Sequence, residues 1–378
     1  MAIYLDNGAT TQVCEEAAAA ALAAMREDYG NPSSTHRKGR EAKALLDKAR
    51  GQVASALGAA SGEIIFTSCG SEGDNQAILK GAESMRHTGK HVITSAVEHD
   101  AVRKSMYELQ RLGWEVTALA PEADGSIAPE KVKEALREDT ALVSLMLVNN
   151  ETGGVTDIAG VKRVLKEAHS PALLHTDAVQ GFLKVPFTAG SLGADLITLS
   201  GHKIHAPKGI GALYIRKGVR LPPLILGGGQ EGGLRSGTEP MPQIAAFGAA
   251  AAAGAAVAKE AQARMAALRQ LCIEDLTGRM PETVVIGGGA PHILCISLPG
   301  YRSEVLMNWL EAKEIYVSKG SACKRGRRSH VLEAMGLPAK VIDGAIRVSL
   351  SRFTTEEEIR RFCEALTEAK NSLRPSVR

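Results

Sequence analysis

The chain has 378 residues, of which 44% are hydrophobic and 23% are charged. Single hydrophobic cores stop growing at about 250 to 300 residues, so this length predicts a large domain and a second, smaller one. The 45 basic residues nearly balance the 42 acidic residues, and the formal net charge is +3. This balance gives no general reason to expect direct binding of nucleic acid or of a membrane surface.

The cysteines and the hydropathy narrow the class of protein further. Six cysteines lie far apart without a CxxC pair, a pattern that argues against a zinc or other metal site and against a disulfide framework. The chain begins MAIYLDNGATT, without the basic and apolar regions of a secretory signal. The alanine-rich stretch 244–258 is shorter than the roughly 20 residues of a membrane span. We therefore expect a soluble, cytoplasmic protein with free thiols.

Short β-branched apolar runs alternate with amphipathic stretches from about residue 15 to 240. In chain order, the predicted strands are 63–67, 91–95, 114–119, 141–147, 173–176, 196–200 and 211–215. Predicted helices between them include 75–87, 100–112 and 129–136. This alternation is typical of parallel sheets built from βαβ units and predicts an α/β large domain.

The pattern changes after an alanine-rich helix that begins near Ile244. Long helices and a few strands follow, including the predicted strands 292–298 and 345–350. We interpret residues 15–254 as the large domain. Residues 1–14 and 255–378 are interpreted together as a smaller α+β domain.

Two ionisable residues follow predicted strands. Lys203, in LSGHKIHAPKGIG, comes just after strand 196–200, and loss of solvation in a pocket there would make its amine nucleophilic enough for a Schiff base. Asp177, in HTDAVQ, is either a helix N-cap or a carboxylate that keeps the pyridinium nitrogen of pyridoxal phosphate protonated. Gln180, about one turn later, could bond the phenolate oxygen of that cofactor.

A glycine-containing turn, TSCGSEGDN at 67–75, joins a predicted strand to a helix. Backbone N–H groups at Gly70 and the helix dipole form an anion site suited to a phosphate. Ser71, Ser200 and His202 could add side-chain donors. Because open α/β sheets bind ligands at the carboxyl ends of their strands, we expect these scattered motifs to meet in space.

The residues carry a strong family resemblance. In order along nearly the whole chain stand YLDNGATT, GNPSSTHRKGR, SAVEHDAV, VNNETGGV, HTDAVQ, LSGHKIHAPKGIGALYIR, RSGTEP, SKGSAC and IRVSLSRFTTEEEI. They resemble the motifs of the cysteine desulfurases, in the class V aminotransferase group of fold-type I pyridoxal-phosphate enzymes. The resemblance implies a mainly parallel seven-stranded sheet between helices. It also implies pyridoxal 5'-phosphate as cofactor and removal of sulfur from L-cysteine to give L-alanine.

The resemblance also implies roles for single residues. His99, otherwise an ordinary helix-start histidine, would stack on the cofactor ring and shuttle protons. Asn150 would lie near the cofactor phenolate and the substrate carboxylate, and Arg347 would clamp that carboxylate with its planar guanidinium. Thr238 would reach the phosphate of the neighbouring subunit's cofactor, which implies a homodimer with shared active sites.

Cys323, in KGSAC, decides the reaction. A lone cysteine is often a small buried hydrophobe, but glycine and serine neighbours predict a mobile, exposed loop, and the thiolate is the reactive form. The match to the family motif SGSAC implies that Cys323 accepts the sulfur as a persulfide. An acceptor protein, either an iron–sulfur scaffold or a tRNA-thiolating enzyme, would then receive it.

Basic residues surround this cysteine. They are Lys319, Lys324, Arg325, Arg327 and Arg328. This basic cluster is either a solvated turn or a local positive field that favours the thiolate and attracts an acidic acceptor protein.

The chain departs from the family pattern at three places. Cys69 and Ala206 stand where glycine is usual, and the segment after Cys323 is shorter and more basic. Three other functions stay open: a selenocysteine lyase, a small-substrate class V aminotransferase and a non-catalytic scaffold. The presence of Lys203, Asp177 and Cys323 together disfavours the scaffold.

Overall fold

The structure is a computed structural model that describes residues 2–319 and 328–375. The strands are β1 (Ile3–Tyr4), β2 (Ile64–Thr67), β3 (His91–Ser95), β4 (Glu115–Leu119), β5 (Thr140–Ser144), β6 (Leu173–Asp177), β7 (Leu196–Ser200), β8 (Gly211–Ile215), β9 (Val284–Ile286), β10 (Ile293–Ser297), β11 (Ile315–Tyr316) and β12 (Ala345–Ser349). The helices are α1 (Glu15–Arg26), α2 (Arg37–Leu57), α3 (Gly70–Asn75), α4 (Gly81–Ser84), α5 (Asp100–Arg111), α6 (Pro129–Ala135), α7 (Ile158–Glu167), α8 (Ala189–Leu192), α9 (Met241–Ala256), α10 (Ala258–Arg279), α11 (Ser303–Glu311), α12 (His330–Ala334), α13 (Ala339–Asp343) and α14 (Glu356–Ser372).

Seven of these strands form one sheet in the order β2-β8-β7-β6-β5-β3-β4. The pairs among β3, β4, β5, β6 and β7 are parallel, and β8 runs antiparallel to both of its neighbours. Alternate residues of each strand enter apolar clusters on opposite faces of the sheet, which is therefore covered on both sides. The predicted α/β fold with a mainly parallel seven-stranded sheet is confirmed.

Two predicted elements differ from the structure by three residues or more at one end, and both lie next to the cavity described below. The apolar run 141–147 is longer than β5, because 145–147 stay buried while carrying the chain to the loop of Asn150. The helix expected at 75–87 begins at Gly70 and continues through a π-helical turn, Gln76–Lys80, into α4. A Cβ at Gly70 would lie 2.8 Å from Val179 Cγ2, and one at Gly73 would lie 2.9 Å from Thr198 Cγ2. The glycines therefore allow this helix to pack against β7 and against the turn that follows β6.

A second core lies outside the large sheet. It is built from β1, β10, β11, β12, α10, α11 and α14, with Leu5, Leu276, Leu294, Val348 and Phe362 among its buried members. The proposed domain boundary after residue 254 falls near the end of α9, and α9 and α10 meet at a bend of 72°. That boundary stays a prediction. Among the described residues, no single helix is long and apolar enough to cross a membrane, and α9 with α10 would qualify only as a bent pair.

Candidate active site

A cavity of about 1220 Å³ opens at the carboxyl ends of the parallel strands. Ten of the predicted site residues line it: Gly70, Ser71, His99, Asn150, Asp177, Gln180, Ser200, His202, Lys203 and Arg347. Thr238 is exposed and is not part of this lining. Cys323 lies outside the described residues, as do Lys324, Arg325 and Arg327.

Lys203 reaches the cavity from the turn that follows β7. A 3₁₀ turn, Gly201–Lys203, ends the strand and redirects the chain. The Lys203 Nζ donates hydrogen bonds to the carbonyl oxygens of Gly8 at 2.5 Å and Ala9 at 2.7 Å. Burial and the positive charge of Arg347 lower the pKa of Lys203 to about 8, although Asp177 acts in the opposite sense. The amine is therefore neutral far more often near pH 7 than that of a solvated lysine.

Asp177 is the last residue of β6 and is 6% exposed. Burial raises the pKa of its carboxyl group, whereas His99, Lys203 and a hydrogen bond from the Val179 N–H to Oδ1 at 2.9 Å favour the ionised form. A buried carboxylate in this position is stabilised by a cationic partner. Asp177 is therefore suited to hold a proton on a heterocyclic nitrogen.

Two buried acids near Asp177 were missed in the sequence. Burial and the charge of Asp177 raise the pKa of Asp74 well above its usual value, and burial raises the pKa of Glu98 to about 8. Ser95 Oγ donates to Glu98 Oε1 at 2.5 Å, and the Met146 N–H donates to the same oxygen at 3.1 Å. Their positions in the sequence could have revealed these two acids as site residues. Asp74 lies in the 67–75 turn, and Glu98 lies within the motif SAVEHDAV.

His99 is the N-cap of α5 and also lines the cavity. Its Nδ1 accepts a hydrogen bond from the Ala101 N–H at 3.1 Å. Because Nδ1 is the acceptor, the neutral ring carries its proton on Nε2. His99 therefore both starts α5 and lines the cavity, although these two roles were alternatives in the sequence analysis. Its stacking on a cofactor stays a prediction.

Arg347 enters the cavity from β12, on the second core, and is 2% exposed. Its Nη1 donates to the carbonyl oxygen of Asn150 at 2.7 Å, and its Nη2 lies 2.8 Å from Asp6 Oδ1. These two contacts fix the plane of the guanidinium. A planar cation held in this way is suited to a carboxylate ligand.

Both flanks of the segment that carries Cys323 contact the cavity wall. Lys319 Nζ lies 2.5 Å from Glu304 Oε1, and Arg328 donates to both carboxylate oxygens of Asp343, at 2.7 Å and 2.8 Å. All four side chains line the cavity. Two members of the basic cluster therefore already have acidic partners, which their positions in the sequence did not reveal.

The next residue, Ser329, donates a hydrogen bond to Glu151 Oε2 and caps α12. Glu151 is buried, and burial raises the pKa of its carboxyl group. This contact also was not predicted, although Glu151 lies within the quoted motif VNNETGGV. It attaches the chain that follows the Cys323 segment to the loop beyond β5.

The residues at the cavity fit pyridoxal phosphate. Ser200 Oγ and Gln180 Oε1 are buried and have no hydrogen-bond partner among the described residues, so both are available to a ligand. The continuous helix at 70–84 begins at the wall, where its first N–H groups have no partner within the helix. The helix end suits a phosphate, and Asp177 suits a protonated ring nitrogen. Lys203 suits an aldehyde carbon. The fold and the cavity thus suit a pyridoxal-phosphate enzyme in which a lysine faces the cofactor.

Comparisons with known proteins agree with this class. The chain matches the model of the class-V aminotransferase family over residues 3–362 and belongs to that family. Cysteine desulfurase 2 of Trichormus variabilis is 45% identical over 377 residues, covering 98% of this chain and 94% of the relative. Cysteine desulfurase IscS of Methanosarcina thermophila is 41% identical over 378 residues, covering 99% and 93%. A solved structure of a NifS-like protein has a TM-score of 0.93 and 38% identity, covering 99% of this chain and 100% of that chain.

Proposed function

We propose that this protein is a cysteine desulfurase. With pyridoxal 5'-phosphate it removes the sulfur of L-cysteine, giving L-alanine and a persulfide on Cys323. The observation that supports this most strongly is a single cavity with the lysine, the buried acid, the arginine and both flanks of the cysteine segment in its wall: Lys203, Asp177, Arg347, Lys319 and Arg328.

In this proposal the start of the 70–84 helix would hold the cofactor phosphate. The N–H groups of Gly70 and Ser71 and the hydroxyl of Ser200 would be its donors. His202 lies beside them, and burial and the charge of Lys203 lower its pKa to about 4, so its ring is neutral at pH 7. Thr238, which is exposed away from its own cavity, would contact the phosphate bound by the second subunit of a homodimer.

Asp177 and His99 would hold the cofactor ring, with Asp177 keeping the ring nitrogen protonated. Gln180 and Asn150 would bind the phenolate oxygen. Gln180 is held there by a hydrogen bond from its Nε2 to the Gly8 carbonyl oxygen at 2.8 Å. When bound, pyridoxal phosphate supplies an electron-poor ring that stores the electron pair released at the substrate Cα.

Lys203 and Arg347 act on opposite sides of the substrate. Arg347 binds the α-carboxylate and so orients the Cα–H bond. The neutral amine of Lys203 takes the proton from Cα and later returns it. Its pKa of about 8 suits this exchange near neutral pH, because both protonation states are populated.

Cys323 takes the sulfur. Its thiolate attacks the substrate Sγ, so that an S–S bond forms while the Cβ–Sγ bond breaks. The electron pair of the broken bond passes to the substrate carbons, which gain protons and become alanine. A thiol reductant or an acceptor protein then removes the outer sulfur of the persulfide.

A product assay tests the function. The purified chain, supplied with pyridoxal phosphate, L-cysteine and dithiothreitol, is expected to form alanine and sulfide in equal amounts. A selenocysteine lyase would instead show a far higher kcat/KM for L-selenocysteine, and an aminotransferase would pass the amino group to a keto acid. Amino transfer without any sulfide would contradict the proposal.

The remaining members of the basic cluster would act on the acceptor protein. Lys319 and Arg328 are paired with acids, so a positive field would come from Lys324, Arg325 and Arg327. The double variant Arg325→Glu, Arg327→Glu is expected to slow sulfur transfer to an iron–sulfur scaffold protein by about tenfold or more at low salt. Alanine formation driven by dithiothreitol should change less than about twofold, because a small reductant needs no docking.

A matched control separates docking from overall charge. Lys133→Glu with Lys166→Glu changes the net charge equally on the exposed faces of α6 and α7. This control should transfer sulfur at the normal rate. Equal loss of both reactions in the arginine variant, or equal slowing in the lysine control, would contradict docking by the cluster.

A further inference from the structure

A second, much smaller cavity of about 40 Å³ has Lys203 in its wall. Lys184, Arg352, His205 and Ser351 contribute the other main polar groups, and the remaining wall is largely apolar. No acidic residue lines it within the described part of the chain. The cavity is therefore bordered by cations without a carboxylate to balance them.

Lys184 is the most unusual member of this wall. It is only 6% exposed, and its Nζ has no hydrogen-bond partner within residues 2–319 and 328–375. Burial and the positive charges of Lys203 and Arg347 lower the pKa of Lys184 to about 7. Buried ammonium groups normally have an acceptor or a counter-ion, because an unpaired buried charge is strongly unfavourable.

Arg352 presents a second donor to the same cavity. Its Nε is buried and has no partner among the described residues, while its guanidinium packs over the Phe353 ring at 4.9 Å. His205 adds no charge, because burial lowers its pKa to about 4 even though the hydrogen bond between its Nδ1 and the Gln12 carbonyl oxygen, at 2.8 Å, acts in the opposite direction. Two independent cationic donors thus lack acceptors at one small cavity.

We propose that this cavity binds a small monovalent inorganic anion, such as chloride, through Lys184 Nζ and Arg352 Nε. The volume selects the class of ligand: a water molecule needs about 10 to 15 Å³ by this measure, so 40 Å³ accepts a monatomic anion with a water molecule or two. Ala258, where α10 begins, also lines the cavity and follows the exposed Val257, so this part of the wall lies near the protein surface. The site does not depend on the proposed enzymatic function.

The test compares chloride with gluconate, an anion too large for the cavity, at constant ionic strength. In the complete 378-residue chain, chloride should raise the Tm above the value in gluconate, since a ligand that binds only the folded state stabilises it. In chlorine NMR, the protein should broaden the chloride line, and this broadening should show saturation of the site. Lys184→Met should weaken the apparent chloride affinity by at least about tenfold, whereas Lys217→Met, at an exposed lysine, should bind normally.

Two results would overturn the site. Equal Tm in both salts without excess broadening would mean that the cavity holds only water. Undiminished chloride binding by Lys184→Met would place the anion elsewhere. If circular dichroism shows that Lys184→Met does not fold, Arg352→Leu replaces it, and unchanged affinity in that folded variant counts equally against the proposal.

Discussion

Replacing Lys203 by alanine is expected to abolish sulfur release from L-cysteine, lowering kcat/KM by at least about 10³-fold. The variant loses the amine held by the Gly8 and Ala9 carbonyls at the end of β7. In the proposed mechanism, the variant therefore lacks both the covalent attachment point for the cofactor and the base that takes the Cα proton. Alanine and sulfide are measured together with dithiothreitol present.

The control for this variant is Lys217→Ala, which removes an exposed lysine just after β8 and should keep the full rate. Borohydride reduction followed by mass spectrometry supplies a second readout. The cofactor mass should be fixed to the unmodified chain and to the Lys217 variant, but not to Lys203→Ala. Sulfide release by Lys203→Ala at the unmodified rate would remove the basis of the proposed mechanism.

Replacing Cys323 by alanine is expected to reduce alanine and sulfide formation by a similar factor, at least about 10³-fold, while leaving an earlier step intact. Lys203 and Arg347 are unchanged in this variant, so exchange of the Cα hydrogen of an amino acid with deuterated solvent should continue. Nuclear magnetic resonance of L-alanine incubated with each variant measures that exchange. It should persist in Cys323→Ala and disappear in Lys203→Ala.

The competing hypothesis is that Cys69, rather than Cys323, accepts the sulfur. Among the described residues, Cys69 is the cysteine that lines the cavity. Its Sγ accepts a hydrogen bond from Ser68 Oγ at 3.7 Å. Mass spectrometry of the chain after reaction with L-cysteine should locate the persulfide on Cys323, also when Cys69 is replaced by alanine. A persulfide on Cys69, together with normal turnover in Cys323→Ala, would contradict the assignment.

Local sequence was sufficient for the elements that hold the site. Strands 91–95, 196–200 and 211–215 were predicted with the bounds that β3, β7 and β8 have. Each is a short apolar run ended by polar or glycine residues, so the hydrophobic pattern and the breakers agree. The ends of β6 and β7 consequently put Asp177 and Lys203 at one edge of the sheet, as expected.

Contacts between distant parts of the chain could not be predicted in this way. The carbonyl acceptors of Lys203 lie at Gly8 and Ala9, 195 and 194 residues away in sequence. Asp6 meets Arg347 across 341 residues. Periodicity describes which face of an element is buried, but it carries no information about which remote backbone or acid approaches that face.

Other errors of prediction arose at glycine residues and at buried acidic residues. Gly70 and Gly73 suggested a turn, yet the absence of their side chains is what lets the helix approach β7 and the turn after β6. Glu98 and Glu151 stand in quoted motifs, but acidic residues are mostly exposed, and only the folded chain shows them buried.

The arginine at the cavity is carried by a different hydrophobic core from the lysine opposite it. Arg347 extends from β12 of the second core, whereas Lys203 extends from β7 of the large sheet. The span between the amine and the guanidinium is therefore fixed by how the two cores pack together, and the hydrogen bond from Arg347 to the Asn150 carbonyl oxygen is one contact between them. If Arg347 binds the substrate carboxylate as proposed, this packing sets the length of amino acid that fits, and substitutions deep in the second core are expected to change substrate selectivity.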